Sequence, residues 1–165
     1  MSERSIVRNT LGLIVSLLLC YSVAGLGGWW TAGAVSSWYP TLQKPPLNPP
    51  NWVFGPVWSL LYTMMAIAAW LVGKRVGLTG GRVPLGLFVL QLVLNLAWSG
   101  LFFGMKSPTL GAIDIILLWS AILATTITFW KVNKAAGALM TPYLLWVSFA
   151  TYLNLGIWWL NRGSS

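Results

Sequence analysis

The sequence predicts an all-α integral membrane protein, a bundle of five transmembrane helices. Three observations carry this. Hydrophobic residues fill 57% of the 165 positions and charged ones 7%. A soluble domain carries about 25% charged residues, so this chain cannot cover a water-facing surface. Charges and prolines divide it into five apolar runs, each close to the ~20 residues that cross a bilayer. The ten basic residues fall between those runs, where they suit lipid headgroups, rather than in one patch that would follow a nucleic acid.

The first helix is expected from Val7 to Ala32. Arg4 and Arg8 before Leu11–Cys20 also resemble a signal peptide, with small residues around Ala24 as a cleavage region. The apolar run continues past Trp30, long enough to span. A loop over 33–50 follows, rich in prolines: Pro45, Pro46, Pro49 and Pro50. Proline fixes φ and removes a donor, so this loop should extend neither flanking helix and should form a stiff lid over the bundle mouth. The second helix covers Asn51 to Val72, with Pro56 expected to kink or loosen its start and open room beneath the lid. "GKRVGLTGGR" reads as a flexible link to the third helix, Pro84 to Met105. Pro84 and Pro108 suit first-turn positions. The fourth helix is placed at Pro108 to Trp130 and the fifth at Ala136 to Leu160, joined by "KVNKAAG".

With five spans, Arg4, Arg8, Lys74, Arg75, Arg82, Lys131 and Lys134 share one side, against Lys44, Lys106 and Arg162 on the other. The positive-inside rule then predicts a cytoplasmic N-terminus. The host membrane, bacterial or the outer membrane of an organelle, stays open.

Inventory excludes much chemistry. There is no His, one Cys (Cys20) and two acids, Glu3 and Asp114. Zinc sites, carboxylate pairs and Ser-His-Asp triads therefore lack their residues. No metal and no required cofactor are expected. Asp114, two turns into the fourth helix, is an intramembrane carboxylate and so a functional hint, or a locally hydrogen-bonded acid near the interface.

Twelve tryptophans exceed what an interfacial aromatic belt needs. Trp58, Trp98, Trp119 and Trp146 sit too deep for it. Gln91, Asn95 and Ser99 recur every four residues and share a face near Trp98. Trp146, Ala150 and Asn154 share another, with Tyr143 one turn earlier. Trp58 and Tyr62 lie one turn apart. Amides facing hydrocarbon are costly, so these faces should turn inward, either to bond helix to helix or to line an aromatic ligand pocket.

Three stretches, "WYPTLQKPPLNPPNWVFGPVWSLLY", "NLAWSGLFFGMKSP" and "PYLLWVSFATYLNL", resemble the TspO/MBR family of tryptophan-rich sensory and translocator proteins. The resemblance runs from the first helix to Asn161. It implies a five-helix membrane bundle, often a homodimer, with a pocket under the first loop for porphyrins and benzodiazepine-type ligands. By motif position, Trp38, Tyr39, Pro49 and Pro50 would form the lid. Trp58, Gln91, Asn95, Trp98, Trp146, Ala150 and Leu153 would line the pocket, joined by Tyr62, Tyr143 and Asn154 from the inward faces. The family's sterol motif on the fifth helix is broken here, with Leu155 and Trp159 at its Tyr and basic positions. Gly100 and Gly104 form a GxxxG step suited to a helix pair, between copies or within the bundle.

The leading expectation is a membrane receptor or sensor for tetrapyrroles such as protoporphyrin IX. The alternatives are a light- and oxygen-dependent porphyrin-degrading enzyme, with Trp58 and Trp146 as candidate redox partners, and a transporter of porphyrin or sterol-like molecules.

Overall fold

The computed structural model describes residues 3–163. Among them are five α-helices and no strand: α1 (Glu3–Ser37), α2 (Asn51–Gly80), α3 (Arg82–Ser99), α4 (Pro108–Val132) and α5 (Lys134–Asn161). Each contains a stretch long and apolar enough to cross a membrane. The short connections make successive helices antiparallel. One end of the bundle therefore carries the proline loop (the loop end), and the other carries the N-terminus (the tail end).

The helix ends differ from expectation in instructive ways. α1 continues to Ser37, and only then does a short 3-10 turn, Tyr39–Thr41, begin. Hydroxyls near its end are absorbed by the helix. Thr31 Oγ1 donates to the Gly27 carbonyl and Ser37 Oγ to that of Gly33, so their hydroxyls need no water. α2 runs through most of the expected flexible link and breaks at Gly77, whose φ of 65° and ψ of −178° are open to glycine. The Gly81 amide then donates to the Gly77 carbonyl at 3.0 Å, giving a tight turn. Pro56 lies inside α2, yet the residue with non-helical dihedrals there is Gly77, so the break falls at the tail end and not beside the loop. α3 ends at Ser99 and passes into one π-helical turn, Gly100–Gly104. α4 starts on Pro108 as expected, with Ser107 Oγ accepting from the Leu110 amide at 3.2 Å. Pro84 falls two residues inside α3, which begins at Arg82.

The α4–α5 connection is a single residue. Asn133 caps α5 by accepting from the Ala135 and Ala136 amides. So sharp a reversal requires close approach at Gly137, where an added Cβ would lie 2.7 Å from the Trp130 Cα and closer still to its ring. Gly137→Ala should therefore lower stability by about 1–2 kcal/mol, overpacking outweighing its better helix propensity. Thermal unfolding in detergent checks this, and an unchanged or raised midpoint would contradict it.

The packed core lies toward the tail end. Met65, Ala66, Ala68 and Val72 of α2 meet Ile115, Ile122 and Phe129 of α4 and Met140 of α5, all buried. The outward faces are as apolar as the core: Leu18, Val93, Ile113, Leu117 and Leu145 are all exposed. In hydrocarbon that exposure costs nothing, so helix contacts rest on packing and hydrogen bonds. This is the pattern of an integral multi-pass membrane protein.

A cavity under the proline loop

Toward the loop end the helices diverge around a cavity of about 470 Å³, bounded by α1, α2, α3, the π turn and α5. Such a volume fits a small-molecule site. Trp58 and Tyr62 wall it from α2, Asn95 and Trp98 from α3, and Trp146, Ala150, Leu153 and Asn154 from α5. Among the described residues, none that lines it carries a charge.

The polar side chains are mostly engaged with one another. Tyr62 Oη donates to Asn95 Oδ1 at 2.6 Å, and Asn95 Nδ2 donates to Tyr143 Oη at 2.9 Å. Tyr143 Oη in turn donates to Gln91 Oε1 at 2.8 Å. The chain ties α2, α3 and α5 together. Gln91 and Tyr143 are completely buried and do not reach the cavity. For these two, bonding between helices replaces the expected lining role, because the α3 face at Gln91 lies a turn deeper, where the core has already closed.

A second pair fixes an indole. Trp98 Nε1 donates to Asn154 Oδ1 at 2.8 Å, and Asn154 Nδ2 donates to the Pro108 carbonyl at 3.1 Å. With its N–H satisfied, Trp98 stacks on Phe102, centroids 5.3 Å apart. Phe102 and Phe103 come from the π turn and both line the cavity. A π turn adds a residue to one helical turn and re-aims those that follow. Nothing in the local pattern signalled it.

The lid is narrower than expected. Of Trp38, Tyr39, Pro49 and Pro50, only Tyr39 lines the cavity. Trp38 packs edge-on against Phe102 at 5.6 Å. Pro50 is the residue preceding α2, and with Pro49 it sets the path into that helix; Asn51 lines the cavity instead. Tyr39 Oη donates to Asn48 Oδ1 at 2.8 Å. Burial raises the Tyr39 hydroxyl above its ordinary pKa, which the Asn48 bond partly offsets, so it remains a donor at neutral pH.

The prolines fasten the loop to α5. Pro45 is buried against Gly156, where an added Cβ would meet it at 2.7 Å. The Pro46 carbonyl accepts from Tyr152 Oη at 3.0 Å. Asn161 clamps Gln43 twice: Oδ1 accepts from the Gln43 amide at 3.0 Å and Nδ2 donates to its carbonyl at 2.9 Å. Asn161→Ala should thus speed amide exchange at Gln43 by about tenfold, the equivalent of one lost net hydrogen bond. Exchange measured by mass spectrometry would contradict the clamp if residues 42–46 were unaffected.

The α1 wall was missed. Ala24, Gly27, Thr31 and Val35 line the cavity. Their small-residue spacing was the available signal, read only as part of an apolar span. The GxxxG step also finds an occupant within the chain: a Cβ added at Gly100 or Gly104 would come within 3.3 Å of the Trp30 ring. The two glycines receive a tryptophan of α1, the within-bundle alternative of that reading. Asp114 is buried away from the cavity, with Oδ2 unpartnered among the described residues. Cys20 is buried too. Leu155 and Trp159, at the broken sterol motif, are exposed, and Arg162 lies 3.2 Å over the Trp159 ring.

Comparison with known proteins matches residues 16–160 to the TspO/MBR family. The chain is 45% identical to the tryptophan-rich protein TspO of Chlorobaculum tepidum over 155 residues, covering 93% of this chain and 98% of that protein. It is 41% identical to the human translocator protein over 140 residues, covering 84% and 83%. It is 37% identical to the tryptophan-rich sensory protein of Cereibacter sphaeroides over 142 residues, covering 84% and 88%.

Proposed function

The chain belongs to the TspO/MBR family, and from that premise we propose that it is a membrane receptor or sensor whose cavity takes tetrapyrroles of the protoporphyrin IX type. One observation carries the reading: a cavity of about 470 Å³ walled by the indoles of Trp58, Trp98 and Trp146, with no charge among the described residues that line it. Flat apolar rings suit such walls, since aromatic pairs stack with centroids about 4.5–7 Å apart. Benzodiazepine-type ligands would use the same rings. The larger share of basic residues at the tail end supports a cytoplasmic N-terminus, with the loop facing outward. A porphyrin's acidic tails would then point toward the loop end, near Lys44, whose Nζ donates to the Leu42 carbonyl and lies 4.8 Å from the Tyr39 ring centroid.

A second reading has one observation in its favour. Trp58 and Trp146, the candidate redox partners, both face the cavity, so an illuminated pigment held there would have oxidisable rings beside it. Titration of the purified protein with protoporphyrin IX, followed by tryptophan quenching, tests both. Saturable quenching in the dark is expected for the receptor, and quenching that never saturates would refute it. Light- and oxygen-dependent pigment loss that disappears in Trp58→Ala would favour the enzyme.

A further inference from the structure

We infer that the cavity is entered sideways, from the hydrocarbon of the bilayer, through a slot between α1 and α2. Gly28, Ala32 and Ser36 follow one another at intervals of four along α1, as do Asn51, Gly55 and Ser59 along α2. All six line the cavity, and all six are exposed, unlike the other lining residues. Residues that do both stand at its rim. The helices run antiparallel, so the two rows are the posts of one opening.

Every post is small except Asn51. Ser36 and Ser59 donate back to the Gly33 and Gly55 carbonyls, so the posts present little free polarity. The row from Gly28 to Ser36 rises about 12 Å along its helix, within the ~30 Å hydrocarbon thickness. At the slot's inner end Tyr21 Oη meets Thr63 Oγ1 at 2.7 Å and donates to the Ser59 carbonyl at 3.3 Å. Deeper still, Trp70 Nε1 donates to the Asn9 carbonyl at 2.9 Å. Between Tyr21 and the proline loop, no side-chain hydrogen bond joins α1 to α2 among the described residues. The helices are fastened below the slot and not beside it. The competing aqueous route, under the loop, is fastened at three points: Gln43 on Asn161, Pro46 on Tyr152 and Pro45 on Gly156. An apolar ligand therefore partitions into the membrane first, and the protein selects from what the bilayer has dissolved.

The ligand used to time entry rests on the tetrapyrrole reading; the slot itself does not, and the test separates them. A Cβ added at Gly28 or Gly55 meets nothing within 4 Å, so Gly28→Phe/Gly55→Phe should fold and fill the opening. In nanodiscs, its association and dissociation rates for protoporphyrin IX should both fall at least tenfold. Asn161→Ala, which removes one of the three loop fastenings, should leave both rates unchanged. An unaltered association rate in the double variant, or a faster one in Asn161→Ala, would overturn the route. Independently of any porphyrin, a nitroxide at Ala32→Cys in a Cys20→Ala background should collide readily with oxygen and poorly with a water-soluble nickel chelate. The reverse pattern would place water in the slot and overturn the inference. Failure of protoporphyrin IX to bind the parent protein would remove the tetrapyrrole reading, and the nitroxide result would decide the slot alone.

Discussion

Replacing Trp58 with alanine should weaken protoporphyrin IX binding at least about tenfold, placing this indole among the few side chains that carry most of a site's affinity. Trp58 stands on the cavity wall with its ring 5.7 Å from that of Tyr62 and 6.1 Å from that of Tyr143. Those neighbours hold it from behind, and both are tied into the buried hydrogen-bond chain. A pre-set ring loses little freedom when a ligand stacks on it, so its contact area converts efficiently into affinity. Truncation also removes packing against the core, and the midpoint of thermal unfolding must be measured beside the affinity. Trp58→Phe separates the two effects: a smaller ring preserves some stacking, so its affinity should fall between parent and alanine variant. Trp29→Ala is the control, since Trp29 is 75% exposed and outside the cavity lining. Equal affinities in the Trp58 and Trp29 variants would refute the pocket assignment.

Length and apolarity made five spans legible, because a bilayer fixes both. Where the spans end was less so. The run after Ala32 contains Gly33, Ser36 and Ser37 and reads as loop, yet serine hydroxyls bond back onto their own helix and α1 goes on to Ser37. That extension has consequences. It adds Val35 and Ser36 to the α1 wall of the cavity, on the same helix whose Trp30 lies over Gly100 and Gly104. A GxxxG pattern announces a close approach but not the identity of what approaches.

The inward faces on α3 and α5 were legible because amides and phenols have no partner in lipid. Periodicity places Gln91, Asn95 and Ser99 on one side of a helix. It cannot say at what depth that side stops facing core and starts facing a cavity. Asn95 lines the cavity and Gln91, one turn deeper, does not. Likewise the prolines promised a rigid loop, and rigidity is what Pro45 supplies against Gly156. Which loop residue looks into the cavity depended on the turn at Tyr39–Thr41, built on Pro40 and not on the four prolines that follow.

Asn95 joins stability to the site, and Asn95→Leu should cost about 2 kcal/mol of folding stability. Individual hydrogen bonds between membrane helices are worth about 0.6 kcal/mol on average, so two lost bonds alone would fall short of that. Most of the loss comes from the groups left stranded. Tyr62 Oη loses its acceptor at 2.6 Å and Tyr143 Oη loses a donor at 2.9 Å, both in residues that are buried. An unsatisfied buried polar group costs about 1–3 kcal/mol. If this account holds, removing the stranded hydroxyl should recover part of the loss: Asn95→Leu/Tyr62→Phe should be more stable than Asn95→Leu alone, a non-additivity expected of residues in one network. Simple summation of the two single variants would contradict it. Tyr62 and Asn95 also form part of the cavity wall. The variant that loosens them should therefore bind protoporphyrin IX more weakly than its parent, although neither side chain needs to hydrogen-bond the ligand. Binding unchanged at reduced stability would confine the chain to holding α2, α3 and α5 together.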